Sequence, residues 1–582
     1  MNDLGLGEVR ATAHRGHDDL LSAGLGLAGL AGAAADFVES AQPTADELRR
    51  RAIQSSWKGI ADLGPLGGYG TVYGGVPHVP GREYHAFARI PGAHSTHRVL
   101  LQAPDQFDQR KRCLVVTASS GSRGIYGAIA LAGAWGLPRG CAVAYTDKGA
   151  GSGYFDYADD SGVALDGRRA QRGMTELEFL PAAAAPTSGI AVKHAHSTDN
   201  PEADWGRHVL QAAQFGLAML DRAYPAQAPF TPQNTKIIAT GLSNGGGAVL
   251  QAAGLDDQHF LDGVVALEPN VHIAGSGRAL YDYATEAAIW APCALVDARF
   301  THTPFARRSD GMPLTAGVLR CASLRAQGKL GGASLPKQAA AAWEYLRTAG
   351  WTDAALAASA TTAAFDMWRA VAAGYASAYL RRGATDMPGG FRYAAVAASG
   401  MPGSADPRQR ACWWSDAAGL PPGNGAGLSG GVTADADATL SGLAGLRALW
   451  AGDLTDARAL RTSVAATFAR LPRAGLPVWL VHGAADGLLP TTFTSQPYVA
   501  WLRGAGRDPL YWEVACAQHF DSFLALPGFG ENHLPLLPYG YAALDRLWAH
   551  LHAGAAWPAT VATPAARPRG PGALTTSALG LQ

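Results

Sequence analysis

Residues 235–250 read TKIIATGLSNGGGAVL. Lys236, Ile237, Ile238 and Ala239 form a short apolar run with β-branched residues, which predicts a buried strand. The chain then turns through Thr240, Gly241, Leu242, Ser243 and Asn244. It goes on as Gly245, Gly246, Gly247, Ala248, Val249 and Leu250, which reads as the start of a helix. Gly241, Ser243 and Gly245 fit G-x-S-x-G, and strand, tight turn and helix are the setting in which that pattern holds a serine in a strained turn over a sheet edge. With 72 glycines among 582 residues, chance matches are expected, and Gly427, Leu428, Ser429, Gly430 and Gly431 also fit. Pro421, Pro422, Gly423, Asn424 and Gly425 precede that second match and exclude a core strand before it, so a loop is expected there. Context therefore selects Ser243.

A serine hydroxyl is a poor nucleophile at neutral pH. It needs an imidazole base, and the imidazole needs an acceptor that fixes its tautomer. His519 lies just past a predicted terminal strand, Leu510–Val514. Asp486 closes the HGAAD turn after the preceding strand, Leu476–Val481. The chain order Ser243, Asp486, His519 is nucleophile, acid, base, the order of α/β-hydrolases, and three strand ends in that order are far more specific than the serine pattern alone. Asp521 is the rival acid. The backbone N–H of Asn244 is the first expected oxyanion donor. Ser120 and Gly121, after the strand Cys113–Ala118, are candidates for the second, because small residues expose their amides. Arg123 is a candidate carboxylate contact, with a structural or solvated arginine as the alternative.

The expected fold is an α/β-hydrolase: a mostly parallel sheet with helices on both faces and a large helical cap insertion. Residues 1–105 form an N-terminal section with antiparallel edge strands (His85–Arg89, His97–Gln102) and a helix over Pro43–Trp57 that Thr44 and Glu47 can cap. The core occupies 106–274, with Ile125–Trp135 and Trp205–Ala223 as helices and Leu261–Leu267 as a strand. From 275 to 470 the strand rhythm gives way to alanine-rich helical stretches with recurring aromatics, and Ala417–Gly431 reads as linker. This segment is expected to roof the site, with Trp368 and Trp413 as candidates for its substrate wall. The core resumes over 471–557, and a Pro/Ala-rich tail, 558–582, is expected to pack poorly.

Composition narrows the class. The apolar fraction is 48% and the formal net charge is +0, which excludes a disordered chain and argues against nucleic-acid binding. No run reads as a transmembrane helix. Leu20–Ala35 is glycine-rich and follows acidic and histidine residues, so it is not read as a signal peptide. The six cysteines show no C-x-x-C or zinc spacing. Their even count permits disulfides in an oxidising compartment, with buried free thiols as the alternative. His194, His196 and Asp199 lie close together in a segment, Ala191–Asp204, that reads as a polar loop without metal-site geometry. No metal or organic cofactor is expected.

Four stretches carry a resemblance to a family: VVTASSGSRGIYGAIALAGAWGLPRGCAVAYTDKGAG, ATGLSNGGGAVL, VHGAADGLLP and AQHFDSF. With the opening DDLLSAGLGLAGLAG, they resemble the D-(-)-3-hydroxybutyrate oligomer hydrolases over nearly the whole chain. The resemblance implies an exported bacterial serine esterase, secreted or periplasmic, that acts downstream of polyhydroxybutyrate depolymerases. It would cleave (R)-3-hydroxybutyrate oligomers to monomers, with the family nucleophile falling on Ser243. Another carboxylic-ester hydrolase, acting on aryl esters or of the tannase or feruloyl-esterase kind, is the alternative. Those enzymes place cysteines beside the nucleophile and the histidine. Here Thr240–Asn244 holds none, and Cys516 is three positions from His519.

Overall fold

Alternation along the central strands sorts their side chains onto two faces, and each face has its own core. Leu114, Val116, Ile237, Ala239, Val264, Ala266, Val478 and Leu480 point to one side. Val115, Ile238, Val265, Trp479 and Val481 point to the other. Strands buried on both faces read as continuous apolar runs, and each large side chain removed from water contributes roughly 1.5–3 kcal/mol. The computed structural model describes residues 5–121, 123–181, 188–396, 402–416 and 426–581.

Among the described residues the main sheet has nine strands. They are β1 (Arg10–His14), β2 (Gly81–Ala88), β3 (His97–Pro104), β4 (Cys113–Ala118), β5 (Ala142–Thr146), β6 (Lys236–Leu242), β7 (Gly263–Leu267), β8 (Val478–Gly483) and β9 (Leu510–Val514). The spatial order is β1-β2-β3-β5-β4-β6-β7-β8-β9. From β5 to β9 all pairings are parallel, and β1, β2 and β3 add an antiparallel edge. Parallel neighbours need crossovers, and the helices between them cover both faces. A disulfide joins Cys113 to Cys141 at the start of β4 and β5.

Helix α1 (Ala45–Ile60) begins at Thr44 with the full capping box to Glu47 and buries Ile53 and Trp57. On the opposite face lie α2 (Pro201–Ala223) and α3 (Asn244–Leu255), whose Trp205, Val209, Phe215 and Val249 fill the second core. The expected helix over Ile125–Trp135 is instead a π-helical turn, Ile129–Gly133, running into Ala134–Gly136. The segment expected as a polar loop is folded: Lys193–His196 is a helical turn with His194 and His196 buried, and α2 starts at Pro201. His194 Nε2 meets Glu202 at 2.5 Å, so the histidine is spent on a buried pair.

Between β7 and β8 the chain builds the insertion: α4 (Leu280–Ala294), α5 (Thr315–Ala326), α6 (Leu335–Thr348), α7 (Asp353–Ala364), α8 (Met367–Tyr379), α9 (Leu440–Ala451) and α10 (Thr455–Ala465). Cys293–Cys321 ties α4 to α5. Both disulfides span 28 residues, a loop length for which chain entropy contributes about 3–4 kcal/mol each. The insertion is not purely helical. Its strands Phe391–Ala395 and Ala426–Gly430 join Ile190–Val192, Tyr154–Asp156, Ser161–Val163 and Arg169–Gln171 in a second sheet. Ser429 therefore lies on a strand, not the expected loop, and its Oγ donates to Arg392 O at 3.3 Å. The rest of the expected linker, 417–425, falls outside the described residues.

After the cap come β8, α11 (Ser495–Gly504), β9 and α12 (Leu537–Ala553). The tail corrects another expectation. Leu574 and Leu579 are 1% exposed, Trp512 Nε1 donates to Ala562 O and Tyr539 Oη donates to Leu579 O. Two leucines in a proline-rich stretch are enough to seat it on the core.

Candidate functional site: a serine, histidine and aspartate under a shared roof

Ser243 sits between β6 and α3 with φ 56° and ψ −124°, a strained conformation that fixes its hydroxyl over the sheet edge. The turn is tight because its flanks have no side chains. A Cβ on Gly241 would stand 2.4 Å from Gly245 O, and one on Gly245 would stand 2.3 Å from Ala118 O. The backbone of the turn is tied to the next strand: Ser243 N donates to Leu267 O, and Ser243 O accepts from Asn270 N, each at 3.0 Å.

The structure brings the three expected residues together. His519 Nε2 is 3.1 Å from Ser243 Oγ, and His519 Nδ1 is 2.8 Å from Asp486 Oδ2. Asp486 is fully buried. Its Oδ1 accepts from Leu488 N at 2.8 Å and Leu489 N at 2.6 Å, and its Oδ2 also meets His482 Nε2 at 3.1 Å. Burial alone would raise this carboxyl, but the His519 charge and the bonds from His482 and His519 outweigh it and hold Asp486 well below the usual carboxylate range. His482 is itself fixed by Ser495 Oγ at 2.5 Å. Asp521 is engaged elsewhere, accepting from Leu536 N and Leu537 N, and burial pushes it up to about 7.

Above these residues is a cavity of about 610 Å³, within the size range of small-molecule sites. Ser243, Asn244, His519, Ser120, Gly121 and Arg123 line its floor. Phe365, Met367, Val371 and Tyr375 reach down from the insertion, and Phe520 and Phe523 come from the histidine loop.

A model of the 3HB-oligomer hydrolase family matches residues 2–580. The chain belongs to that family. It is 36% identical to a D-(-)-3-hydroxybutyrate oligomer hydrolase of Cupriavidus metallidurans, over 95% of this chain and 85% of that protein. It is 35% identical to a protein of the same description from Polaromonas naphthalenivorans, over 95% of this chain and 87% of that protein. Among solved structures, feruloyl esterase B of Aspergillus oryzae is 11% identical, with a TM-score of 0.37 over 86% of this chain and 90% of that one.

Several features of this 3HB-oligomer hydrolase family member escaped the sequence reading. Trp368 and Trp413 do not line the cavity. Trp368 is 2% exposed and packs edge-on to Trp351, and Trp413 is fully buried against Tyr154. Trp368 packs within the cap and Trp413 against the second sheet, and the wall is made of Phe365, Met367, Val371 and Tyr375 instead. Helix α1 is the second surprise: Arg51, Gln54, Ser55, Lys58 and Gly59 line the same cavity. Arg51 pairs with Asp416 of the insertion, at 2.5 and 2.8 Å, and Ser55 Oγ donates to Ser415 O at 2.5 Å. The roof is thus built jointly by the N-terminal section and the insertion. Tyr375 Oη accepts from Asn244 Nδ2 at 2.8 Å, so the cap is also bonded to the residue after the serine.

The oxyanion candidates Asn244, Ser120 and Gly121 all line the cavity. Asn244 is the first residue of α3, where an N–H has no partner within the helix. Ser120 and Gly121 line the same cavity. Buried Lys148 pins their loop, with Nζ 3.1 Å from Ser119 Oγ and 2.5 Å from Gly121 O. Burial pushes that ammonium down to about 7 against the pull of Asp147 and Glu202. Cys412 and Cys516 are free thiols, so the cysteine bridge of tannase-type enzymes is not formed.

Glu268 follows β7 with φ 38°, 3% exposed, and its Oε2 is 3.7 Å from His519 Nδ1. Burial, reinforced by Asp486 and Asp521, holds its carboxyl well above the usual range. Glu268, Asp486 and His519 offer ligand atoms within 4.8 Å of one another. Asp486 and His519 are bonded to each other, and burial disfavours the charged form of Glu268, so the three are poorly suited to holding a cation together. A raised carboxyl pKa binds a proton in the folded chain that the unfolded chain releases, so Glu268 costs stability as pH rises above about 4.3. Glu268→Gln should therefore raise the melting temperature more at pH 8 than at pH 5 and keep kcat within a few-fold. A larger gain at pH 5 would show that Glu268 is ionised.

Proposed function

We propose that this serine carboxylic-ester hydrolase cleaves (R)-3-hydroxybutyrate oligomers to monomers through an acyl-enzyme on Ser243. The observation that carries the reading is the hydrogen-bonded line from Ser243 Oγ through His519 to Asp486, opening into a roofed, apolar-walled cavity. His519 Nε2 takes the Ser243 proton as Oγ attacks the ester carbonyl. The oxygen that becomes negative is received by the Asn244 N–H and by the Ser120–Gly121 loop. His519 then returns the proton to the departing hydroxyl oxygen. A water molecule activated by the same nitrogen releases the acyl group. Asp486 holds the tautomer and stabilises the imidazolium. Family membership at about 35% identity supports oligomers of 3-hydroxybutyrate as the substrate.

The roof favours soluble chains over a solid surface, because a polymer face cannot enter a covered cavity. At equal ester concentration, soluble trimer should release 3-hydroxybutyrate at least about tenfold faster than film or granules. Comparable rates would contradict the roof. We also place the enzyme outside the cytoplasm, secreted or periplasmic, a reading supported by its two disulfides. Thiol counting on protein collected outside the cytoplasm should find two free thiols, and six would count against it.

A further inference from the structure

Arg123 is a buried cation of this cavity with no carboxylate partner among the described residues. The other charges lining it are accounted for. Arg51 is paired with Asp416, and exposed Lys58 donates to Gly32 O at 2.8 Å. Arg123 is 7% exposed. Its Nη2 donates to Gly59 O at 2.6 Å, and its Nη1 has no partner among the described residues. No salt bridge reaches it within the described residues, and burial alone, with no opposing carboxylate, lowers its pKa to about 10. A guanidinium offers five donors in a planar fork matched to a carboxylate, and burying it unpaired is costly. The fold nevertheless makes room for it. Gly59 on α1 faces the guanidinium, and a Cβ there would stand 1.8 Å from Nη1.

The position matters as much as the charge. Arg123 N donates to Ser120 O at 3.2 Å, so the side chain begins one turn beyond the loop expected to hold the oxyanion. It also borders a smaller recess that Ser120, Leu242 and His519 share. The catalytic histidine thus shares a recess with a buried cation that has no carboxylate partner among the described residues. A 3-hydroxybutyrate oligomer carries one free carboxylate, at one end only, three bonds from the nearest ester oxygen.

We propose that Arg123 binds the terminal carboxylate of the oligomer, so that the ester next to the acid end is the one cleaved. This rests on the oligomer-esterase reading above. The Ser243 Oγ–carbonyl bond forms and the ester C–O bond breaks. The proton that left Ser243 passes from His519 Nε2 to the hydroxyl oxygen of the departing acid-end monomer, whose carboxylate stays ionised on Arg123. Hydrolysis of the acyl-enzyme gives the shortened chain a new terminal carboxylate, and that chain is a substrate again. Cleavage is stepwise from the acid end.

The test uses the full-length enzyme and a tetramer whose acid-end unit carries ¹³C, alongside the same tetramer as its methyl ester. Labelled monomer and unlabelled trimer should appear first. The free acid should exceed the methyl ester in kcat/KM by about 10- to 100-fold, the range of a charge-assisted contact. Arg123→Gln should bring the two substrates to similar kcat/KM. Gly59→Ala, which displaces the guanidinium without removing it, should narrow the same ratio if the glutamine variant does not fold. Equal rates of wild type on acid and ester, or label retained in the shortened chain, would overturn the proposal and leave the esterase reading standing. Turnover of p-nitrophenyl butyrate with no oligomer cleaved at all would remove both.

Discussion

Ser243→Ala is expected to lower kcat on oligomers by at least about 10³-fold while the protein stays folded. The hydroxyl contributes nothing to packing that a methyl group cannot replace. Among the described residues its one side-chain partner is His519 Nε2 at 3.1 Å, and the turn around it is held by main-chain bonds to Leu267 and Asn270. Alanine also has to accept φ 56° at this position, which costs of order 1–3 kcal/mol already met by the native serine. Intact mass after treatment with an organophosphonate should show one adduct, lost in the variant. An adduct on Ser429, which sits on a strand of the second sheet, or full activity in the alanine variant, would mean that the nucleophile has been misassigned.

Asp486→Asn should cost about 10² to 10⁴-fold in kcat with a smaller change in KM. An amide in place of the carboxylate must turn an NH₂ toward either His519 or the Leu488 and Leu489 amides, and each of those positions wants an acceptor. The variant should also lose about 1–3 kcal/mol of stability for the group left unsatisfied. The wild type should show the matching acid sensitivity. A carboxyl whose folded pKa is depressed contributes stability at pH above its unfolded value near 3.9, and that contribution fades as the pH falls below it. Asp521→Asn is the control. Among the described residues its carboxyl bonds to the backbone amides of Leu536 and Leu537 and not to His519, so its effect on kcat should be at least tenfold milder. The reverse ranking would make Asp521 the acid.

The parts of this molecule that local sequence encodes were legible before any coordinates. The apolar run ending at Leu242 and the small residues after Ser243 prescribe strand, turn and helix. The order of Ser243, Asp486 and His519 follows from strand ends. The capping box at Thr44 and Glu47 is written in four consecutive residues. What was not legible depends on contacts between distant segments. Nothing in the periodicity of α1 says that Arg51 will meet Asp416 or that Gly59 will face Arg123. The aromatic content of the insertion was visible, but whether a tryptophan faces substrate or a neighbouring helix is decided by packing, and Trp368 and Trp413 went inward. Burial of polar residues misled in the same way: His194 and His196 read as loop because polarity was taken for exposure.

The bond between Arg51 and Asp416 joins residues 365 positions apart. During synthesis at about 5–20 residues per second, α1 waits roughly 20 to 70 s for that partner to be made. The cavity wall is therefore among the late structures of the nascent chain, although its first helix is among the earliest made. His519 is later still. By the time the ribosome supplies the base that activates Ser243, α1 and the whole insertion have been translated, and of the cavity wall only the Phe520–Phe523 stretch is still to come.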